Sequence, residues 1–266
     1  MTRNHPIPAH PPVISCLMVT QQGRLDETRH AIDCFCGQLL QPLELIIVHD
    51  SSDAYHQQLL KLTKSCETSG IRIFQEQAGH TLGWLRNRSL EHARAGLICQ
   101  WDDDDFNHPA RLKTQYEMMQ EENSDFCFMT DQLHLFTEQG YMFWDDRSIR
   151  PAPFDLIENT MLGQRDLMGL YPELERGEDT VIIKHIFKHQ YKVSRLAGKG
   201  WLYTYVFNGK NTWDFDHHSA ISFHQRFNTA ELLTHEERLL SELKKYAFPF
   251  DHVIMPHDEG KIDFSL

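Results

Sequence analysis

Hydrophobic and polar positions follow two rhythms along the first half of the chain. VISCLMVT (13–20), LELIIVHD (43–50), IRIF (71–74) and LICQW (97–101) are short apolar runs rich in β-branched residues. Runs of that length, bounded by polar segments, predict strands buried on both faces. Between them apolar positions recur three or four apart, which predicts amphipathic helices. Ile32, Phe35 and Leu39 do so over 25–40, closed by Pro42. Over 53–69, closed by Gly70, Leu59, Leu60 and Leu62 are placed inward. Leu85, Leu90 and Ala93 share one face over 84–96, which ends in glycine. Pro109 suits the first turn of a further helix to about Glu122. An order βαβαβαβα with short connections predicts an α/β fold, Rossmann-like, with a mostly parallel central sheet flanked by helices. Such sheets bind ligands beyond the carboxyl ends of their strands. That rim collects three polar clusters: Thr20–Arg24, Asp50–Asp53 and Asp102–Asp105.

The second half is less regular. DFCFMTDQLHLF (125–136) and GYMFW (140–144) read as two strands joined by a turn. Residues 145–176 are mixed and loop-rich. DTVIIKHIFKHQY (179–191) repeats Val181, Ile182, His185, Ile186 and His189 at helical spacing. His185 and His189 stand four apart, as a metal pair can, but their apolar neighbours favour core or boundary histidines. WLYTYVF (201–207) reads as a strand, 208–218 as a polar loop, 229–246 as a charged helix and the last twenty residues as an irregular tail. The division expected is a Pro-rich arm (1–12), a regular first half (13–120) and a less regular second half (121–228) of one α/β domain, and a C-terminal helix and tail (229–266).

Composition narrows this further. With 266 residues and 41% hydrophobic content the chain can bury a sizeable core. A formal charge of -12 argues against nucleic-acid partners and gives no pull toward anionic lipid. Six cysteines form no CxxC pair, which suggests a reduced, cytoplasmic chain. The opening MTRNHPIPAHPP lacks the apolar region of a signal peptide. No run reaches the ~18 apolar residues of a membrane span. The expectation is a soluble protein, with peripheral membrane contact at most.

WDDDD (101–105) is the chemical centre of the sequence. Four adjacent carboxylates repel one another, and a hard divalent cation, which takes oxygen ligands, removes that repulsion. In an extended segment Asp102 and Asp104 share a side. The plainer reading is a solvated loop capping the helix after Pro109. Placement on the ligand-binding rim favours a site.

Four ordered segments resemble the family 2 glycosyltransferases, which have the GT-A fold. VISCLMVTQQGR is similar to the family's first strand and following loop, and LELIIVHDSSD to its L-E-I-I-V-V-D-D-G-S-x-D. GWLRNRSLEHARAGLICQWDDDDFNHPARL is similar to the long stretch holding its R-N and D-x-D motifs, and GEDTVI to its late G-E-D. The likeness is close over 13–120 and loose over 155–218.

The resemblance implies that Asp50 holds the nucleotide base and that Thr20 lines the same pocket. Arg86 and Asn87 would lie near the diphosphate, with Arg24 and Asp103 in the same donor site. Asp102 would reach the ribose and the metal, and Asp104 would ligate Mn²⁺ or Mg²⁺. Asp179 would be the catalytic base, with Glu178 orienting the acceptor. NTWDFDH (211–217) is similar to a stretch whose histidine completes the metal shell, so His217 is the third expected ligand, better aligned than His218. Trp213 is the expected acceptor platform, and Trp201 and Tyr205 either stack on sugar or pack. His49 stands where the family usually has aspartate, and Ser51 where it has glycine.

The function implied is inverting, metal-dependent transfer of a sugar from a UDP- or GDP-linked donor to a hydroxyl of a glycan or lipid-linked acceptor, in surface polysaccharide synthesis. The runner-up is a nucleotidyltransferase, poorly served by a loop with one glycine and one arginine. A non-catalytic nucleotide-sugar-binding module is the third reading, against which the intact Asp102, Asp104 and Asp179 speak.

Overall fold

The structure is a computed structural model describing residues 11–65, 70–211, 214–225 and 227–266. The expected arm up to residue 10, and Trp213, lie outside the described residues. The apolar runs form β1 (Ile14–Val19), β2 (Leu43–His49), β3 (Ile71–Gln75) and β4 (Leu97–Gln100). They pair in parallel in the order β3-β2-β1-β4. Both faces are buried, as unbroken runs require. Cys16, Met18, Leu45 and Ile47 pack into one core layer, and Leu17, Ile46 and Val48 into the other. The connecting helices are α1 (Leu25–Cys36), α2 (Asp53–Leu62) and α3 (Leu82–His92). Helix α1 ends before the expected Leu40, because the chain turns at Gly37. Leu39 is therefore 63% exposed rather than inward-facing.

Beyond β4 the chain passes from one sheet to another. Residues 101–105 lead into β5 (Phe106–Asn107), which pairs with a second sheet. Helix α4 (Arg111–Glu122) then returns the chain to the first sheet. The expected single strand over 125–136 is two, β6 (Phe126–Met129) in the first sheet and β7 (Asp131–Phe136) in the second. The break is Thr130. Its N–H donates to Leu196 O at 3.1 Å on one side, and its carbonyl accepts from Arg147 N at 2.7 Å on the other. Strand β8 (Tyr141–Asp146) pairs antiparallel with β7. Strand β9 (Leu162–Gln164) inserts antiparallel between β4 and β6, and β10 (Val193–Leu196) completes the first sheet beside β6.

Helix α5 (Glu178–Lys188) precedes β10, and β11 (Tyr203–Phe207) joins β7 in parallel and β5 antiparallel. On α5, Ile182, Ile183 and Ile186 face the core. Val181 is exposed, and the His185–His189 pair sits at the boundary, His189 outermost. The polar stretch expected as a loop to 218 starts helix α6 (Phe215–Gln225). The expected charged helix is two, α7 (Thr229–Thr234), with a capping box from Asn228 and Glu231, and α8 (Glu236–Leu243). The expected irregular tail is instead a hairpin, β12 (His252–His257) and β13 (Gly260–Ser265), on the edge of the second sheet. Val253 and Met255, two apart, face the core with Phe264, which is why the end of the chain is ordered. Cys36 is disulfide-bonded, against the expectation of a fully reduced chain. Cys16, Cys34, Cys99 and Cys127 are free and buried. Among the described residues no helix is long and apolar enough to cross a membrane.

Candidate active site

The rim of the first sheet meets the second at the aspartate segment. A cleft of about 160 Å³ there is lined by Arg24, Arg86, Asp102, Asp103, Asp104, Glu178 and Asp179, with Asn159, Arg176, Tyr205 and Asn211 among its other walls. The four aspartates do different work. Asp105 is buried in the seam, where its carboxylate accepts from Tyr203 OH and from Val206 N (2.9 Å), so it ties the segment to β11. Burial, and then the Asp102 charge, push its carboxyl up to about 8. Asp102, Asp103 and Asp104 border the cleft.

Two arginines balance them. Arg24 follows β1, and its Nη1 lies 2.8 Å from Asp103 Oδ1 and 3.1 Å from Asp104 Oδ2. Its Nη2 donates to Lys210 O at 3.1 Å. Burial would lower the Arg24 guanidinium, but Asp103 and Asp104 reverse that and raise it. Arg86 projects from α3, whose start is capped by the Thr81 hydroxyl accepting from Trp84 N. Its Nη2 reaches Asp102 Oδ1 at 3.3 Å, and its Nε is 2.8 Å from Glu178 Oε1. The Nε–H makes no hydrogen bond, so that second contact is charge attraction without good alignment. With the Gln100 amide turned so that its oxygen faces Arg86, Gln100 accepts from Nη1 and Nη2 at 3.0 and 3.2 Å.

The adjoining wall is the first turn of α5. Gly177, at φ 76°, makes the left-handed step into the helix that side-chain-bearing residues resist. Glu178 and Asp179 then fall on the first turn, where the helix dipole favours carboxylates. Burial nevertheless dominates at Asp179 and raises its carboxyl to about 6. Arg86 opposes the rise and Glu178 adds to it. Asp104 is pushed well above the carboxylate range by burial, then by Asp105 and Asp103.

The other expected residues are placed as follows. Thr20 is buried, bonded to the Thr28 and Tyr55 hydroxyls at 2.8 Å each, beneath the cleft rather than in it. Asp50 follows β2, and its Oδ2 accepts from Gly79 N (3.0 Å) and His80 N (3.2 Å), fixing the turn before α3. Asn87 faces away from the cleft. Its amide accepts from Tyr171 N and donates to Tyr171 O, both at 2.8 Å, which pins the 171–177 segment against α3. His217 is exposed on α6 and is not among the residues lining the cleft. His218 is buried, its Nδ1 3.1 Å from His134 Nε2, in a network completed by Asp145 and Ser222. Arg176 and Asn159 were not foreseen. Arg176 had a signal, a cation one residue before the Gly-Glu-Asp turn. Asn159 had none, since 145–176 carries no periodicity.

The donor set suits a hard divalent cation. Asp102 and Asp104 open onto the cleft, and the buried Asp103 Oδ2 has no hydrogen-bond partner. Among the described residues no three metal-binding side chains already converge; guanidinium groups hold the carboxylates instead.

The family model described as Glycosyl transferase family 2 matches residues 15–148. No curated protein sequence matches the chain. Among solved structures, S. aureus TarS 1-349 in complex with UDP-GlcNAc superposes with a TM-score of 0.62 at 15% identity, covering 88% of this chain and 67% of that one. The same protein in complex with UDP gives 0.60 at 16% identity, covering 88% and 79%. Mannosyltransferase PcManGT from Pyrobaculum calidifontis, in complex with GDP-Man and Mn2+, gives 0.59 at 12% identity, covering 90% and 74%. At such identities the likeness is one of fold, and it matches the expected GT-A architecture.

Proposed function

The chain belongs to glycosyl transferase family 2, and we propose that it is an inverting, metal-dependent enzyme moving a sugar from a UDP- or GDP-linked donor to an acceptor hydroxyl. The observation that carries this reading is the meeting of two walls in one cleft: Asp102 and Asp104 with Arg24 and Arg86 form the first, and Asp179 on the first turn of α5 the second. The first wall suits a diphosphate, the second a hydroxyl proton.

Asp102 and Asp104 would hold Mn²⁺ or Mg²⁺, which when bound supplies positive charge against the diphosphate leaving group. Arg86 holds a fixed charge at the same wall, clamped by Asp102 and Glu178 so that it needs no rearrangement. Arg24, at the mouth of the β1 loop, is the second cation facing the donor. Asp179, once ionised, accepts the acceptor's hydroxyl proton. The acceptor oxygen then forms its bond to the anomeric carbon as the bond from that carbon to the diphosphate oxygen breaks. The electron pair leaves with the diphosphate, and attack from the opposite face inverts the anomeric centre. Asp50 serves the base only if the turn at 79–80, which it now bonds, forms part of the base pocket. His217 lies off the cleft, so the metal proposal rests on the two aspartates. The TarS and PcManGT complexes with UDP-GlcNAc and with GDP-Man and Mn2+ support a nucleotide-sugar donor of either kind.

The test is a thermal-shift screen of UDP- and GDP-sugars with and without Mn²⁺, followed by donor turnover in the native protein and Asp179→Asn. Stabilisation by one donor class, with turnover lost but donor binding kept in Asp179→Asn, supports the reading. No stabilisation by any nucleotide sugar refutes it.

A further inference from the structure

We propose that a cavity of about 500 Å³ beside the cleft is an acceptor subsite for glycans without acidic groups. The inference rests on the glycosyltransferase reading and adds the chemistry of the acceptor. The cavity lies between the turn after β7, the end of β11 and the start of α6, and its volume falls in the range of roughly 300–1,000 Å³ usual for ligand sites.

Position comes first. Tyr205 and Phe207 are two apart on β11 and so share one face of the strand. Tyr205 lines the cleft with Asp104 and Asp179, while Phe207 lines the cavity. Asn211 borders both, its amide turned inward to Val206 O and Asn208 N, so it forms a fixed shared wall. An acceptor with one hydroxyl at Asp179 therefore continues along β11 into the cavity.

The lining then sets the chemistry. Phe215, at the start of α6, is 45% exposed with its ring centroid 5.9 Å from that of Phe207. A phenyl ring left that open beside a cavity offers a face for the C–H side of a sugar ring. Glu138 and Asp214 bring carboxylates, which only accept hydrogen bonds and so match donor hydroxyl or ammonium groups. Gly209, at φ 76°, keeps the approach to Glu138 open. A Cβ there would stand 3.4 Å from Glu138 Oε1. Among the described lining residues there is no lysine, arginine or histidine. Two carboxylates without a cation repel phosphate, sulfate or uronate groups and accept neutral or amino sugars.

The experiment probes a glycan array with the native protein in UDP and Mn²⁺. The array pairs neutral and amino-sugar oligosaccharides with phosphorylated and uronate counterparts. Donor binding is measured separately by calorimetry. Native protein is expected to favour the neutral or amino member of a pair at least tenfold, and Phe215→Ala to lose at least tenfold in that binding. Glu138→Lys with Asp214→Lys is expected to swing preference toward the acidic member, which simple damage to the fold does not do. Native preference for acidic glycans, binding to none by a protein that binds its donor, or an unchanged ratio in the charge-reversed variant overturns the subsite. Neutral-glycan binding without any donor binding would sink the transferase reading and leave the glycan site standing.

Discussion

A buried Asp179 carboxyl held at about 6 has to lose its proton before it can act as the proposed base. Transfer is therefore expected to rise with pH through about 6 and level off above it, because the protonated form, dominant below, is inactive. Asp179→Asn should cut turnover by about 10²–10⁴-fold, the usual contribution of a positioned base. A pH-independent rate between 5 and 8 in the native protein would remove Asp179 from that role. Arg24 makes a second prediction, with two signs. It stands against Asp104 where a divalent cation is proposed, so Arg24→Gln should bind Mn²⁺ alone several-fold more tightly, since like charges at such separations repel appreciably. The same variant should bind the nucleotide sugar more weakly, having lost a cation facing the diphosphate. Calorimetry with metal alone and then with donor separates the two effects, and parallel changes in both would contradict the assignment.

Elements set where those side chains stand, and the tightest contact between them is at α3. An added Cβ on Gly83 would lie 1.8 Å from the carbonyl oxygen of Pro172, a backbone atom that cannot swing aside. Gly83→Ala must therefore push α3 from the 171–174 segment that Asn87 clamps. We expect a loss of about 1–3 kcal/mol, the usual cost of overpacking, read as a lower thermal midpoint. Turnover should fall with it, because Tyr171, under the Arg86 guanidinium at 5.6 Å, moves as well. The sequence carried the elements that stack in order and little of those that do not. β1 to β4 were legible because strands buried on both faces are unbroken apolar runs. Thr130 was not, because apolar residues resume at Leu133 beyond the short polar step Thr130-Asp131-Gln132, and only the second sheet reveals that a strand has changed partners. β9 escaped because three residues show no period. The final hairpin did show alternation, at Val253 and Met255, but its charged turn obscured it. For the cleft, the rim position of Asp102 and Asp104 was readable from the strand that precedes them, while the anchoring of Asp105 depends on Tyr203 and Val206, about a hundred residues away.

Across the whole molecule the buried imidazoles tie stability to pH. Burial, as the main cause, lowers His49 and His108 to about 4 and His218 to about 3. They sit on β2, before α4 and on α6, so all three regions must open before they protonate. The unfolded chain titrates its histidines near 6.5. Between about 6.5 and 4 the unfolded state therefore binds more protons at these sites, and their contribution to stability is lost as pH falls. Asp131 and Asp179, both raised to about 6 mainly by burial, act in the opposite sense. Between about 6 and 4 their carboxyls are protonated in the folded state and ionised in the unfolded one, so they add stability as pH falls. Asp103, Asp104 and Asp105 are raised as well and act in the same sense as Asp131 and Asp179, so the carboxyls offset the histidines and the histidine effect is read through a single variant. His218→Gln removes one of the three imidazoles. Its own cost at pH 7 is set by the lost bond to His134. The gap between variant and native protein should then narrow by up to about 1.4 kcal/mol per pH unit as pH falls from 6 to 4, one proton's worth of linkage. Urea unfolding at a series of pH values measures that gap directly, and curves that stay parallel would mean His218 is charged in the folded protein.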